Sequence, residues 1–225
     1  MLDSGNVGWL GFALEFQAEG GVRAGFPVAR KGMVIGLLGG SFDPAHGGHA
    51  HITREALKRM GLDRVWWLVS PGNPLKAVGP APLAQRMARA RAVMRDPRVV
   101  VSDLEARLGT RFTAETLERL RAIYPGVRFV WLMGADNLVQ LHQWKDWRGL
   151  ARSLPIAVFT RPHYIGPSLM APTMAFLRRF RKTPGAAKQW NQWSRPALLL
   201  IAMAPDPRSA TAVRAAHPDW AQKWL

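Results

Sequence analysis

The sequence predicts an α/β fold: a Rossmann-like, doubly wound and mostly parallel sheet with helices on both faces, formed by a single domain. Two observations lead to this class. Strand-length apolar runs alternate along the chain with stretches of helical periodicity, which is the pattern of βαβ units. The 225 residues are 48% hydrophobic and 20% charged, which is enough for one sizeable core. Ligands of such a sheet bind at the carboxyl ends of its strands.

Each strand is predicted from a short apolar run. The runs are Met33–Leu38, Arg64–Val69, Arg98–Ser102, Val127–Met133, Ile156–Thr160 and Ala197–Met203. The helical spacing of apolar residues predicts the connections, which are helices over about His46–Met60, Leu83–Arg95 and Thr113–Tyr124, short helices within 135–152, and a final helix that begins near Ser209. The pair Pro125-Gly126 stops the third helix. A long excursion containing proline and arginine separates the last two strands.

Residues 1–32 are predicted to be a weakly ordered extension, and residues 33–225 to be the folded domain. The extension is glycine-rich and its charges balance, whereas the excess positive charge lies downstream. It has no basic segment before its apolar residues, so we do not expect a signal peptide. Met33 is an alternative start, and we expect deletion of residues 1–32 to leave fold and activity intact.

Composition excludes several classes of function. The chain has no cysteine, so disulfide frameworks, thiol nucleophiles and cysteine-bound zinc are ruled out. A cysteine-free chain also suits a reducing cytoplasm, where we expect the protein to be. No apolar run approaches the ~20 residues of a membrane-spanning helix. The 31 Lys and Arg residues against 15 Asp and Glu residues give a net charge of +16, which favours phosphorylated or polyanionic partners.

The turn after the first strand carries the strongest functional signal. It reads Gly-Gly-Ser-Phe-Asp-Pro-Ala-His-Gly-Gly-His over residues 39–49. Gly39 and Gly40 let an anion approach the backbone, and the helix that follows offers free N–H groups and the positive end of its dipole. His46 and His49 share one face of the first helical turn, so both imidazoles can donate to oxygens that gain charge in a transition state. The turn therefore predicts a phosphate site.

Metal binding by the histidines at positions 46, 49 and 51 is the alternative use of this turn. Zinc usually needs a third or fourth ligand from elsewhere in the chain, and His51 falls on a different helical face. The sequence also contains no HExxH motif, the usual arrangement for two zinc-binding histidines on a helix. We therefore predict no protein-bound metal.

The block from Gly39 to His49 resembles the signature of the nucleotidylyltransferase superfamily, and in particular of bacterial nicotinate-nucleotide adenylyltransferases. The resemblance runs from about Gly32 to Arg214. A second motif, Ser-Ala-Thr-Ala-Val-Arg over 209–214, matches the family segment that binds ATP phosphates, although Arg208 stands where the family has an aliphatic residue. The resemblance implies that His46, His49 and Arg214 are catalytic, and that ATP contacts Gly39, Gly40, Ser41, Phe42, His46, His49, Asp136, Ser209, Thr211 and Arg214.

Further motifs that follow strands two to five would form the mononucleotide site. The resemblance implies contacts from Asn73, Lys76, Thr113, Gly134, Ala135, Trp144 and Arg161. In the family the tryptophan stacks on the pyridine ring, the threonine and the backbone amides of the Gly-Ala-Asp segment bind the nicotinate carboxylate, and the Asp binds ribose hydroxyls. Phe112 replaces the tyrosine that usually precedes the threonine. Taken alone, Thr113 and Ser209 would be helix N-caps and Trp144 a packing residue.

The activity implied by the resemblance is transfer of AMP from ATP to nicotinate mononucleotide, which gives nicotinate adenine dinucleotide and pyrophosphate in NAD biosynthesis. The mononucleotide phosphate attacks the α-phosphorus in line, and it is already ionised near neutral pH, so no general base is needed. Mg²⁺ is expected on the ATP phosphates rather than in a protein cage.

Other functions stay open on the sequence alone. Within the superfamily, the acceptor could instead be nicotinamide mononucleotide or pantetheine phosphate. Seven basic residues without an acidic one between Arg161 and Pro196 could form a nucleic-acid-binding module. The amphipathic stretch Leu169–Lys182 could dock to a membrane or a partner. We prefer a solvated helix that covers the sheet, with no membrane or nucleic-acid partner, and a homo-oligomer is compatible with the sequence.

Overall fold

The computed structural model describes residues 25–72, 79–160, 165–204 and 209–224. Within these ranges the strands are β1 (Val34–Gly40), β2 (Arg64–Val69), β3 (Val99–Ser102), β4 (Arg128–Gly134), β5 (Ile156–Thr160), β6 (Arg181–Lys182) and β7 (Leu198–Ala202). The α-helices are α1 (Gly47–Met60), α2 (Leu83–Val93), α3 (Leu104–Arg107), α4 (Thr113–Ile123), α5 (Ala135–Gln140), α6 (Trp147–Ser153), α7 (Ile165–Leu169), α8 (Met174–Leu177) and α9 (Ala210–Ala216). Segments of 3₁₀-helix lie at Leu141–Gln143, Arg178–Phe180, Pro184–Gln192 and Gln222–Trp224.

The described strands form one sheet in the order β3-β2-β1-β4-β5-β7-β6. Every pairing in it is parallel, so the predicted doubly wound architecture is confirmed. The chain builds outward from β1 first through β2 and β3, and then on the other side from β4 onward. The strand order thus reverses between β1 and β4, and the crevice at such a switch point is where open α/β sheets bind their ligands.

Both faces of the sheet are covered. Successive side chains of a strand point to opposite faces, and in β2 the fully buried Trp66 packs into one core cluster while Trp67 packs into the other. The first cluster includes residues of α4 and α6, and the second includes residues of α1 and α2. This is why the strands are apolar almost throughout instead of alternating with polar residues.

Most element boundaries agree with the sequence prediction, and β2 and β5 agree to the residue. The prediction ended β1 at Leu38, but the strand continues through Gly39 and Gly40, which pair in register with Leu68 and Val69. The short helix α3 was not predicted.

The prediction of one helix over Leu169–Lys182 is wrong. Two short helices, a 3₁₀ segment and strand β6 occupy the stretch from Ile165 to Lys182. Arg181 and Lys182 pair with Leu198 and Leu199 of β7, so this stretch ends as an edge strand of the sheet. No helix in the described part of the chain is long and apolar enough to span a membrane.

The described residues of the predicted extension contact the domain. Phe26 is buried in the cluster that contains Tyr124, and the Tyr124 hydroxyl donates to the Pro27 carbonyl oxygen at 2.8 Å. The Gly32 amide donates to the Gly126 carbonyl at 2.9 Å. The domain boundary at residue 32 stays a prediction. Because of these contacts, its test should compare deletion of residues 1–32 with deletion of residues 1–24.

Candidate active site

A cavity of about 650 Å³ opens at the carboxyl ends of β1, β2 and β4. Predicted site residues from the motifs that the structure describes line it, namely Gly39, Gly40, Ser41, Phe42, His46, His49, Thr113, Gly134, Ala135, Asp136, Trp144, Ser209 and Thr211. We call this cavity the cleft. Arg214 is absent from its lining, and Asn73, Lys76, Arg161 and Arg208 lie outside the described residues.

The histidine pair is held by the start of α1. His46 is the N-cap of the helix, and its Nδ1 accepts a hydrogen bond from the Gly48 amide at 3.0 Å. The Nδ1 atom of His49 accepts from the His46 amide at 3.2 Å, and the two ring centroids are 4.0 Å apart. Because both Nδ1 atoms accept, each neutral ring carries its proton on Nε2. The two rings therefore offer N–H donors at the positive end of the helix.

Phe42 supports this pair from the core. Its backbone lies in the left-handed region, with φ 47°, which is costly for a residue other than glycine. Its ring is buried, stacks on Trp67 at 4.9 Å between centroids and lies 4.6 Å from the His49 ring. The ring therefore holds the turn and the orientation of His49, and the strain is offset by burial.

Gly39 and Gly40 differ in how much space surrounds them. A Cβ atom at Gly39 would collide with the indole ring of Trp131, whereas one at Gly40 would make ordinary contact with the Phe42 ring. Packing of the sheet therefore requires Gly39, in addition to the open approach to the backbone that the sequence predicted for both.

The second motif lies at the start of α9 and meets the first turn. The Ser209 hydroxyl caps the helix by accepting from the Ala212 amide at 3.1 Å. The Arg214 guanidinium donates to the backbone carbonyl of Asp43 and, at 3.4 Å, to the Thr211 hydroxyl. Arg214 thus joins the two motifs by binding the wall of the cleft.

The other end of the cleft is built from side chains on several elements. Trp144 is half-buried and packs edge-on against Trp131, with centroids 6.2 Å apart. Thr113 is the first residue of α4, and the N-cap is Phe112, so the N-cap interpretation of Thr113 is wrong. Lys145 Nζ lies 4.4 Å above the Phe112 ring and 3.0 Å from a carboxylate oxygen of Glu115.

Glu105 is the cleft residue that sequence reasoning missed most clearly. It belongs to α3, lines the cleft and is only 8% exposed. Burial raises the pKa of its carboxyl group to about 7, because desolvation disfavours the charged form. The only sequence signal is that Glu105 stands between the apolar residues Leu104 and Ala106, just after β3. Other lining residues outside the predicted set include Asp43, Ser70, Arg111, Trp131, Gln140, Gln143 and Lys145.

No group of three or more His, Asp or Glu side chains in the described ranges is arranged to hold a metal ion. The cleft instead offers histidine N–H donors, hydroxyl groups and helix N-termini, which are ligands for anions. A Rossmann-like crevice with this set of donors is typical of enzymes that act on nucleotides. Residues 37–216 match the family model described as cytidylyltransferase-like, and the chain belongs to this family within the nucleotidyltransferases.

Curated relatives narrow the family further. A protein of Roseobacter denitrificans named "probable nicotinate-nucleotide adenylyltransferase" is 59% identical over 194 residues, which is 86% of this chain and 97% of that protein. A protein of Ruegeria pomeroyi with the same name is 56% identical over 87% of this chain and 92% of its own length. Within the family, the chain belongs to the nicotinate-nucleotide adenylyltransferases.

Solved structures with the same fold are more distant in sequence. Plasmodium falciparum nicotinic acid mononucleotide adenylyltransferase complexed with NaAD matches with a TM-score of 0.61 at 16% identity. The match covers 81% of this chain and 83% of that chain. A second structure of that enzyme, complexed with APC, matches with a TM-score of 0.59. The fold is thus shared even though few residues are.

Proposed function

We propose that the protein transfers AMP from ATP to nicotinate mononucleotide, releasing nicotinate adenine dinucleotide and pyrophosphate. One observation carries this proposal. The histidine pair of α1 and the hydroxyl groups of Ser209 and Thr211 line the same cleft as Thr113 and Trp144. The cleft therefore joins a phosphate end, with donors for a triphosphate, to an aromatic end with a hydroxyl donor. The names of the curated relatives support the same reaction.

At the phosphate end, the chain supplies donors and no nucleophile. The acceptor phosphate attacks the α-phosphorus of ATP, the bond to the bridging oxygen breaks, and pyrophosphate leaves with the electron pair. The Nε2–H groups of His46 and His49 donate to the oxygens on which charge accumulates, and this stabilisation is largest in the transition state. The acceptor phosphate is ionised near neutral pH, so the protein positions the reactants without removing a proton.

ATP enters this reaction as its Mg²⁺ complex, in which the ion neutralises phosphate charge. The described cleft fits an ion carried in by the substrate, because its carboxylates, Asp43, Asp136 and Glu105, form no metal-binding group. One Asp43 oxygen already accepts from the Ala81 amide at 3.3 Å. Mg²⁺ commonly keeps its waters and binds through substrate phosphates.

At the aromatic end, Trp144 offers a ring face to the pyridine, and Thr113 offers a hydroxyl to its carboxylate. The start of α5, at Gly134 and Ala135, adds backbone N–H groups in the same wall. Donors of this kind favour the acid over the amide, because an amide would turn its own N–H₂ group towards some of them and leave them unpaired. The roles of Asn73, Lys76 and Arg161 remain sequence predictions, as does a cytoplasmic location.

Pyrophosphate release tests the proposal directly. Purified protein with Mg-ATP is assayed with nicotinate mononucleotide, nicotinamide mononucleotide and pantetheine phosphate. The adenylylated product of each reaction is identified by its mass in mass spectrometry. We expect the highest kcat/KM with nicotinate mononucleotide and no release without an acceptor. A higher kcat/KM with either other acceptor would contradict the substrate assignment while leaving the adenylyltransferase class intact.

A further inference from the structure

Arg86 is a buried charged side chain beneath the cleft. It lies on α2 and is 1% exposed. Its guanidinium donates to four backbone carbonyl oxygens: Nε to Ala81 at 2.7 Å, Nη1 to Ser41 at 2.6 Å and to Ser70 at 2.7 Å, and Nη2 to Pro71 at 3.2 Å. Burial lowers its pKa, and the nearby Asp43 carboxylate opposes that change. Arginine side chains stay protonated in proteins.

The four carbonyls belong to three separate segments that meet at the cleft. Ser41 follows β1 and begins the phosphate turn. Ser70 and Pro71 follow β2, and Ala81 lies just before α2. Ser41 and Ser70 both line the cleft, and the last backbone bond between the two strands runs from the Ser70 amide to the Gly40 carbonyl at 3.0 Å. Arg86 thus joins the segments that follow the two strands beyond this pairing.

Asp43 extends this connection to the second motif. Its side chain accepts from the Ala81 amide, and its backbone carbonyl accepts from Arg214. Ala81, whose carbonyl accepts from Arg86, therefore also donates its amide to the phosphate turn. The phosphate turn, the segments that flank β2 and α2, and the start of α9 thus form one hydrogen-bonded unit around Arg86.

We propose that Arg86 is a positioning residue for the transfer, which holds Ser70 and Pro71, just after β2, and Ala81, just before α2, in place against the phosphate turn. The proposal rests on the proposed function, in which Asn73 and Lys76, between Pro71 and Ala81 in the sequence, are expected to bind the acceptor. In-line transfer requires the two phosphates to be aligned, and a displacement of about 1 Å costs roughly a hundredfold in rate. A planar fork with five N–H donors can bind four carbonyls, whereas the ammonium of lysine has only three donors.

The phosphate turn and the end of β2 are joined by bonds that do not depend on Arg86, including the bond from the Ser70 amide to the Gly40 carbonyl. Pro71 and Ala81 lie beyond this sheet pairing. Gly39 and Gly40 are held by their register with β2, and the histidine pair is held by backbone bonds at the start of α1. Three of the four Arg86 bonds go instead to Ser70, Pro71 and Ala81. Loss of the guanidinium should therefore disturb the acceptor more than ATP.

The test compares Arg86→Met and Arg86→Lys with Arg91→Met, an exposed arginine of the same helix. We expect Arg86→Met to lower kcat/KM for the acceptor by about a hundredfold, while the Kd of ATP alone, from calorimetry, changes less than about threefold. Arg86→Lys should recover part of the loss because it keeps the charge and three donors. Arg91→Met should match the wild type.

The unfolding transition of each variant is followed as well, and kinetics are expressed per folded molecule. Normal values per folded molecule in Arg86→Met, or a loss of ATP affinity as large as the loss for the acceptor, would overturn the proposal. If Arg86→Met does not fold, the same comparison is made with Arg86→Lys: its loss in kcat/KM for the acceptor should exceed its loss of ATP affinity. The acceptor used is the one that the wild type prefers, so failure of the substrate assignment and failure of this proposal give different results.

Discussion

The two ends of the cleft are constructed differently. At the phosphate end, residues 39–49 form a strand end, a turn and a helix start, and the hydrogen bonds that orient His46 and His49 connect residues two or three apart. At the aromatic end, which we call the pyridine end after the ring proposed to bind there, Glu105, Thr113 and Trp144 come from separate segments, and only tertiary packing brings them together. Under the proposed function, the residues expected to act in the chemical step thus lie on a locally determined motif, and those expected to select the acceptor lie on a surface assembled by the whole fold.

This difference separates the expected effects of substitution. Changes at the phosphate end should act on the chemical step, because its donors face charge that develops in the transition state. Changes at the pyridine end should act on acceptor choice and on stability, because its side chains also pack against the core. The predictions that follow test this division.

The largest effect is expected from the histidine pair. His46→Ala or His49→Ala should lower kcat by about a hundredfold or more each, with ATP binding retained, since the lost interaction is strongest in the transition state. Steady-state kinetics together with ATP calorimetry measure both quantities. His51→Ala is the matched control, because His51 lies on the same helix and does not line the cleft. Near-normal turnover in both variants would refute the mechanism.

The phosphate end was predictable from sequence because its geometry is local. The contiguous motif at 39–49 contains the strand end, the cap and the donors, and the structure places all of its predicted residues in the cleft. What the sequence did not reveal there is long-range. Gly39 makes room for Trp131 of another strand, and Arg86 binds the Ser41 carbonyl from a position 45 residues further along the chain.

The region after β5 shows why the rest could not be predicted. Its apolar spacing favoured one amphipathic helix, but Arg181 and Lys182 pair with β7, and sheet pairing prevails over helical periodicity. Its basic residues are also partly occupied by aromatic rings, since Arg179 lies 5.2 Å from the Phe176 ring centroid and Lys182 lies 6.0 Å from that of Trp193. The burial of Glu105 likewise arises from tertiary packing, and no sequence motif predicts it.

Glu105 should make stability depend on pH. Its pKa is raised from 4.5 to about 7 in the folded state, so between these values the folded state binds the proton more tightly than the unfolded state. The free energy of unfolding should therefore fall as the pH rises, by about 2–3 kcal/mol between pH 5 and pH 8. Glu105→Gln should remove this part of the pH dependence, which urea unfolding at several pH values measures.

Glu118→Gln is the control for that experiment, because Glu118 is an exposed carboxylate on the neighbouring helix α4. Its unfolding free energy should follow the wild-type curve throughout. If the curves of wild type and Glu105→Gln run parallel from pH 5 to pH 8, the buried carboxyl is not the titrating group.

A smaller effect is expected for acceptor choice at Thr113. Thr113→Val removes the hydroxyl group with little change in shape, so the preference in kcat/KM for nicotinate over nicotinamide mononucleotide should narrow by about tenfold, the value of one hydrogen bond to a charged group. Thr113→Ser keeps the hydroxyl group and should keep the preference. An unchanged ratio in Thr113→Val would leave the discrimination to the backbone N–H groups near Ala135.

The smallest effect is expected from Lys145, although it is a cationic side chain at the rim of the cleft. Its ammonium group is shared between Glu115, at 3.0 Å, and the Phe112 ring, and both side chains of the ion pair are exposed, by 58% and 38%. Exposed pairs contribute about 0.2–1 kcal/mol and are screened by salt. Lys145→Met should therefore lower the free energy of unfolding by less than about 1 kcal/mol.

The same side chain tests whether charge at the pyridine end acts by direct contact or only through the general positive field. Since Lys145 is already paired, we expect Lys145→Met to change kcat/KM for either mononucleotide by less than about threefold, as expected for a weak and solvated interaction. Lys58→Met, at the far end of α1, provides the exposed control. A loss of tenfold or more with the acid, and none with the amide, would mean that Lys145 leaves Glu115 to bind the substrate carboxylate. The pyridine end would then select its acceptor by charge as well as by hydrogen bonding.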